Sequence, residues 1–166
     1  PMAMKLIFSP GDGKVLGAQI VGYEGVDKRI DVLATAIRAG MTVFDLQDLQ
    51  LAYAPPFSSA KDPVNMIGYV AGNMVQGNVE IAHWHEVDKR LAQGALLLDV
   101  RTKREVEDGA VPGALNIPVD NLRERLSELP KDKEILVYCQ VGLRSYIAYR
   151  ILRQHGFTAK SISGGY

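Results

Sequence analysis

The sequence predicts an α/β protein whose second half is an open parallel sheet with flanking helices, preceded by a small α+β domain. Three observations carry this. ALLLDV (95–100) and EILVYC (134–139) are unbroken apolar runs, as strands buried on both faces of a parallel sheet are. Strand and helix patterns alternate from residue 79 to 166, the order that builds an open α/β sheet. The first 75 residues read instead as a hairpin followed by helices.

In chain order, MKLIF (4–8) and VLGAQIV (15–21) are strand-like runs separated by SPGDGK, and Pro10, Gly11, Asp12 and Gly13 make that segment a hairpin turn. Val26, Ile30, Leu33 and Ile37 fall at helical spacing, and Gly40 supplies a left-handed end. TVFDLQDL (42–49) fits a second short helix. LAYAPPFSSAKDPVN then breaks regular structure with Pro55 and Pro56. Asp62 before Pro63 has the form of an N-cap and first turn, opening a helix to about Met74.

QGNVE (76–80) is polar and precedes the change of pattern, so the domains are expected to span 1–75 and 79–166. Beyond it, His83, Trp84 and His85 enter a helix, and Thr102 with Glu105 forms a capping-box sequence opening another. Leu122, Leu126 and Leu129 mark the face of a further helix, and Ile147, Ile151 and Leu152 that of a last one ending at Gly156. FTAKSI (157–162) is the final strand.

At 166 residues and 47% apolar, the chain can build full cores. Nineteen basic residues cancel nineteen acidic ones with no like-charge run, which argues against nucleic acid or a membrane surface as partner and for a small molecule or a protein. No stretch approaches the roughly 18 to 20 apolar residues of a membrane span. One cysteine allows no internal disulfide, which fits the cytoplasm. PMAMKLIF enters a strand pattern directly and SISGGY follows the last strand at once, so a piece of a larger protein is expected.

Cys139 is that one cysteine, and it ends a central strand, where ligands of open α/β sheets bind. The QVGLR that follows contains a turn glycine, and a helix begins near Arg144 or Ser145. Amides of a helix first turn and a guanidinium both favour thiolate. A buried structural thiol is the competing reading, and the Gly, Arg and Ser after the cysteine favour the nucleophile.

CQVGLRS resembles the CxxGxRS loop of rhodaneses, the single-domain sulfurtransferases. LLLDVRTKREVEDGAVPGALNIP (96–118) resembles the family's strand with Asp and Arg, here Asp99 and Arg101, and its GHIPGAINIP segment. SISGGY resembles its closing strand and glycine turn, so the likeness covers residues 79–166. Ala110 departs from the family's frequent histidine. The resemblance implies a rhodanese-like sheet in which the Cys139 thiolate takes sulfur from a sulfane donor as a persulfide and a thiol or other nucleophile accepts it. Gln140, Val141, Gly142, Leu143 and Ser145 with Arg144 would cradle donor and terminal sulfur. Arg101 would help bind the donor or else form a structural ion pair, and Asp99 would be structural or loop-orienting. Four residues separate Cys139 from Arg144, fewer than the CxxxxxR loop of cysteine phosphatases, so sulfur rather than a phosphoryl group is expected to fit.

KLIFSPGDGKVLGAQIVGYEGVDKRIDVLATAIRAGMTVFDLQDLQLAYAPPFSSAKDPVNMIGYVA, with its YAPPFSSAKDPVNM, resembles the dimerisation domain of pyridine nucleotide-disulfide oxidoreductases, in the subgroup of coenzyme A disulfide reductases and NADH oxidases. Followed by a rhodanese domain, it looks like the coenzyme A disulfide reductase/rhodanese fusions linked to persulfide and polysulfide reduction. FAD, NAD(P)H, coenzyme A and a homodimer are then expected of the intact protein. No GxGxxG occurs in the chain, so neither cofactor is expected to bind this piece. The loop of Tyr53 and Phe57 would contact the partner subunit's flavin and coenzyme A site, with interface packing as the alternative. Lys61 and Asp62 would cap and solvate a helix. His83, His85 and His155 lack the neighbours of a metal site. The competing class is a non-catalytic docking or sulfur-carrier module.

Overall fold

The computed structural model describes residues 2–56 and 58–166. The chain forms two compact units, one ending at Gly77 and one spanning Asn78–Tyr166.

In the first unit, β1 (Met2–Phe8) pairs antiparallel with β2 (Val15–Gly22) in the register Met4↔Ile20, Leu6↔Ala18. α1 (Val26–Ala39) stops at Gly40, whose φ of 70° lets its N–H turn back to the carbonyls of Ala36 and Ile37. α2 (Val43–Asp48) opens on a capping box between Thr42 and Asp45. α3 (Pro63–Val75) opens on Asp62, which accepts from the Val64 amide at 3.0 Å. Asp62 also receives a bidentate contact from Arg29, with Nε at 3.1 Å and Nη2 at 2.9 Å, which ties α1 to the start of α3. Leu33, Val43, Leu46 and Val64 are the centre of this unit's core.

The second unit holds β3 (Ile81–Ala82), α4 (Trp84–Ala92), β4 (Leu96–Asp99), α5 (Lys103–Glu107), β5 (Leu115–Asn116), β6 (Ile135–Tyr138), α6 (Leu143–Gln154) and β7 (Ala159–Ile162). Its sheet has five parallel strands in the order β3-β7-β6-β4-β5. β6 is buried along its whole length between neighbours β4 and β7, which is why its sequence is apolar without alternation. The chain leaves β4 toward one edge and β6 toward the other, so the crevice between the ends of β4 and β6 is the topological switch point.

One expected helix is absent. Residues 119–128 form two short 3-10 turns, Val119–Asn121 and Leu126–Glu128, in place of a helix on Leu122, Leu126 and Leu129. Pro118 and Pro130 bracket the segment, and Leu129, held before a proline, is extended at φ −96°, ψ 135°. Leu122 and Leu129 still enter the core, so the turns bury the same residues as the helix would. β6 ends at Tyr138, one residue before Cys139. Among the described residues, no helix is long and apolar enough to cross a membrane.

Candidate active site

Cys139 follows β6 at the switch point, and the chain turns through Gln140–Gly142 into α6. Gly142 sits at φ 109°, a conformation a side chain would strain, and this turn brings the first amides of α6 back onto the cysteine. The Gly142 N–H donates to Cys139 Sγ at 3.1 Å, and Sγ lies 3.7 Å from Ser145 Oγ. Ser145 Oγ donates to the Gly142 carbonyl at 2.8 Å and accepts from Ser161 Oγ at 3.1 Å, so a buried hydroxyl chain runs from β7 to the loop. Burial pushes the Cys139 thiol up, but the amides of Ser145, Gly142 and Val141 together with the Ser145 hydroxyl outweigh it, and the thiol settles below its ordinary value.

The sulfur is not open to solvent. Cys139 is 0% exposed, while Val141 and Leu143 on the outside of the loop are 82% and 64% exposed. The environment around Sγ is therefore polar but covered. Gln140 is exposed, and its Nε2 approaches the Tyr166 carbonyl at 3.4 Å.

Arg144 projects from the first turn of α6 to Glu105 on α5. Nη1 and Nη2 meet the two carboxylate oxygens at 2.7 and 2.6 Å, a fork-on-fork pair between the helices that follow β6 and β4. Glu105 is held from behind by the Thr102 amide at 2.9 Å and hydroxyl at 2.8 Å. The Arg144 guanidinium holds the Glu105 carboxyl far below the usual carboxylate range, and the pairing raises Arg144 in turn. Glu105 reads from sequence as a helix cap alone. Its second partner is 39 positions away and left no trace in spacing.

Arg101 is buried in an ion pair with Asp99. It is 1% exposed, with Nε 3.1 and 3.0 Å from the Asp99 oxygens and Nη2 2.7 Å from Asp99 Oδ2 and 2.9 Å from the Gly109 carbonyl. Its guanidinium carbon stands 3.8 Å over the Tyr166 ring, a cation–π contact. This pair supports the loop from below through Tyr166, whose N–H donates to the Cys139 carbonyl at 2.9 Å.

Gly165 completes that support, a role the sequence did not reveal. It has φ 71°, its carbonyl accepts from Trp84 Nε1 at 2.9 Å, and its Cα lies flat against the Gln140–Val141 peptide. An added Cβ would stand 2.6 Å from the Gln140 carbonyl carbon and 2.9 Å from the Val141 nitrogen, both backbone atoms that cannot swing aside. Gly165→Ala is expected to displace the cysteine loop, costing about 1–3 kcal/mol of stability and, at a displacement near 1 Å, on the order of 100-fold in sulfur transfer. Denaturant unfolding together with transfer rates checks this, and unchanged rates would show that the loop does not depend on the closing turn.

Tyr53 is exposed in an irregular stretch of the first unit. Phe57 lies outside the described residues. Among the described residues, no group of three or more His, Cys, Asp or Glu side chains could hold a metal.

Two family models match the chain: the rhodanese-like domain over residues 83–166, and the pyridine nucleotide-disulphide oxidoreductase dimerisation domain over residues 1–65. Coenzyme A disulfide reductase of Staphylococcus aureus is 46% identical over 71 residues, which are 43% of this chain and 16% of that protein. The crystal structure of reduced Bacillus anthracis CoADR-RHD is similar over 99% of this chain and 30% of its own, at 53% identity and TM-score 0.96. An NAD-dependent persulfide reductase from A. fulgidus is similar over 99% of this chain and 29% of its own, at 48% identity and TM-score 0.88. The chain thus spans less than a third of the length of each of these relatives. A sheet of five parallel strands with the cysteine loop at its switch point, matched by the family model over half the chain, makes this protein a member of the rhodanese-like domain family, while residues 1–65 are similar to the pyridine nucleotide-disulphide oxidoreductase dimerisation domain.

Proposed function

We propose that the second unit transfers sulfane sulfur through a persulfide on Cys139. The observation that carries this reading is the convergence of the Gly142 amide and its neighbours on Sγ at the end of a central parallel strand. The Cys139 thiolate attacks the outer sulfur of a donor. With thiosulfate, a new S–S bond forms at Cys139, the donor's S–S bond breaks, and its electron pair leaves with sulfite. An acceptor then attacks the terminal sulfur, as cyanide does in forming thiocyanate, and Cys139 is released as thiolate. The amides of Val141, Gly142 and Ser145 hold negative charge on either sulfur. Gln140 and Leu143 flank the entrance, and Arg144 stands beside it with its charge balanced by Glu105. Because Cys139 is 0% exposed, the loop has to yield locally for a donor to reach the sulfur.

The family implies FAD and NAD(P)H in the intact enzyme, and the dimerisation domain implies a homodimer. We place the sulfur transfer within the reduction of coenzyme A disulfide, or of coenzyme A persulfide and polysulfide, by that enzyme. The helix starts of the second unit do not fit a dinucleotide. α4 opens at His83, whose amide is capped by Glu86, α5 opens on the Thr102–Glu105 box, and the Gly142 amide that opens α6 is held by Sγ. None is the glycine-rich turn that a pyrophosphate needs.

Mass spectrometry after incubation with thiosulfate, polysulfide and an organic persulfide tests the reading. A gain of about 32 Da, one sulfur atom, is expected on Cys139. The complete burial of the thiol favours a second reading, a docking module that forms no persulfide. Absence of the added mass with every donor would select it.

The lowered thiol also sets a pH dependence. A depressed pKa keeps the thiolate populated to lower pH, so the rate of loading by thiosulfate should rise with pH and reach its plateau with a midpoint below that of free cysteine. Single-turnover loading followed by quenched mass spectrometry gives the profile. A midpoint at or above the free-cysteine value would mean that burial outweighs the amides.

A further inference from the structure

We infer that Glu105 biases the donor charge that the Cys139 loop accepts, by holding Arg144 in a carboxylate fork beside the loop and so slowing doubly charged donors relative to singly charged ones. This rests on the sulfur-transfer reading above. Arg144 is the cationic side chain of the loop itself, separated from Cys139 by four residues in the cradle motif CQVGLR, and both of its terminal nitrogens are engaged by Glu105 at 2.6–2.7 Å. The pair is part-exposed, with 30% and 32% of the two side chains open, so its charges are within reach of solvent beside the loop. Its summed charge is zero. Glu105 cannot readily turn away, because the Thr102 amide and hydroxyl fix it from the α5 side. Arg101, the other arginine beneath the loop, is neutralised by Asp99 and buried. The outer side chains Val141 and Leu143 are apolar and exposed.

A donor arriving at the loop therefore meets amide N–H groups, apolar side chains and a guanidinium whose charge is balanced by a carboxylate. A dianion such as thiosulfate must either displace Glu105 from Arg144 or bear its repulsion. A donor with a single charge at the reacting end suffers about half of that penalty, since the Coulomb term scales with charge. In resting form the carboxylate thus opposes additional negative charge, while the amides around Sγ favour an anion.

Two donors with the same sulfonyl-bound sulfane sulfur separate charge from chemistry: thiosulfate, a dianion, and methanethiosulfonate, a monoanion. The 166-residue chain is loaded with each at low ionic strength, and kcat/KM for persulfide formation is read by mass spectrometry. Glu105→Gln keeps an acceptor for the Thr102 cap but removes the charge. It is expected to raise the thiosulfate-to-methanethiosulfonate ratio on the order of 3- to 10-fold, with the gain shrinking in high salt. Glu105→Asp, which keeps the charge, should hold the ratio near that of the unsubstituted chain. An unchanged ratio in Glu105→Gln, or equal losses with both donors, would reduce Glu105 to a structural partner of Arg144 and overturn this inference alone. Failure of the unsubstituted chain to form a Cys139 persulfide with either donor would overturn the sulfur-transfer reading itself.

Discussion

Cys139→Ser is expected to reduce thiocyanate formation from thiosulfate and cyanide to background while leaving the fold in place. Serine is the same shape with a smaller acceptor atom, and the Gly142 amide and Ser145 hydroxyl that now meet Sγ at 3.1 and 3.7 Å can meet an oxygen. Stability should therefore change by no more than about 1 kcal/mol. Chemistry should not survive. The loop amides favour an anion, but a serine hydroxyl lies too far above neutral pH to ionise there without a base. Neither described partner of Sγ is a base, and the carboxylate nearest the loop by its contacts, Glu105, is bound on both oxygens by Arg144. Thiocyanate release and far-ultraviolet circular dichroism, measured together, decide the matter. Release that persists in a folded Cys139→Ser chain would route sulfur around the cysteine and defeat the proposed function.

Asp99→Ala is expected to be the most damaging substitution for the second unit, at about 3–5 kcal/mol, the usual cost of removing one member of a buried ion pair. Asp99 takes three contacts from the Arg101 side chain and one from its amide at 2.9 Å, with both side chains 1% exposed. Hydrogen bonding to Asp99 raises Arg101 further above its ordinary value, so the arginine cannot escape by losing its proton. Removal of the carboxylate leaves a charged guanidinium enclosed between the Gly109 carbonyl and the Tyr166 ring. A loss of this size is a large part of the roughly 5–15 kcal/mol that stabilises a domain. Denaturant unfolding of Asp99→Ala and of Asp99→Ala/Arg101→Met checks the cause. The double variant should recover much of the loss, because it removes the orphaned charge as well. Equal losses in both would point to packing rather than charge.

Much of this fold was legible in the sequence because it rests on local rules. The unbroken apolar runs of β4 and β6 announced strands buried on both faces, and Asp62–Pro63, Thr102–Glu105 and Gly40 announced helix ends from chemistry within four residues of each end. β3 and β5 escaped separate notice because strands of two residues hold no period to read. The helix expected over Leu122–Leu129 failed for a related reason. Leucines at spacings of four and three fit a helix, but a proline at each border restricts the backbone, and turns that bury Leu122 and Leu129 satisfy the same pattern.

The candidate site divides along the same line. Sequence by itself determined the cradle, since Cys139, Gly142, Arg144 and Ser145 stand within one turn of chain and a strand that ends before a glycine-opened helix must direct its amides there. Tertiary structure alone decided what surrounds it. Glu105 meets Arg144 across 39 positions, Gly165 and Tyr166 press on the loop from the chain's last residues, and Arg101 pairs with Asp99 beneath it. These contacts depend on strand order, because placing β4 beside β6 sets α5 opposite α6, and no local rule of spacing or propensity encodes that neighbourhood.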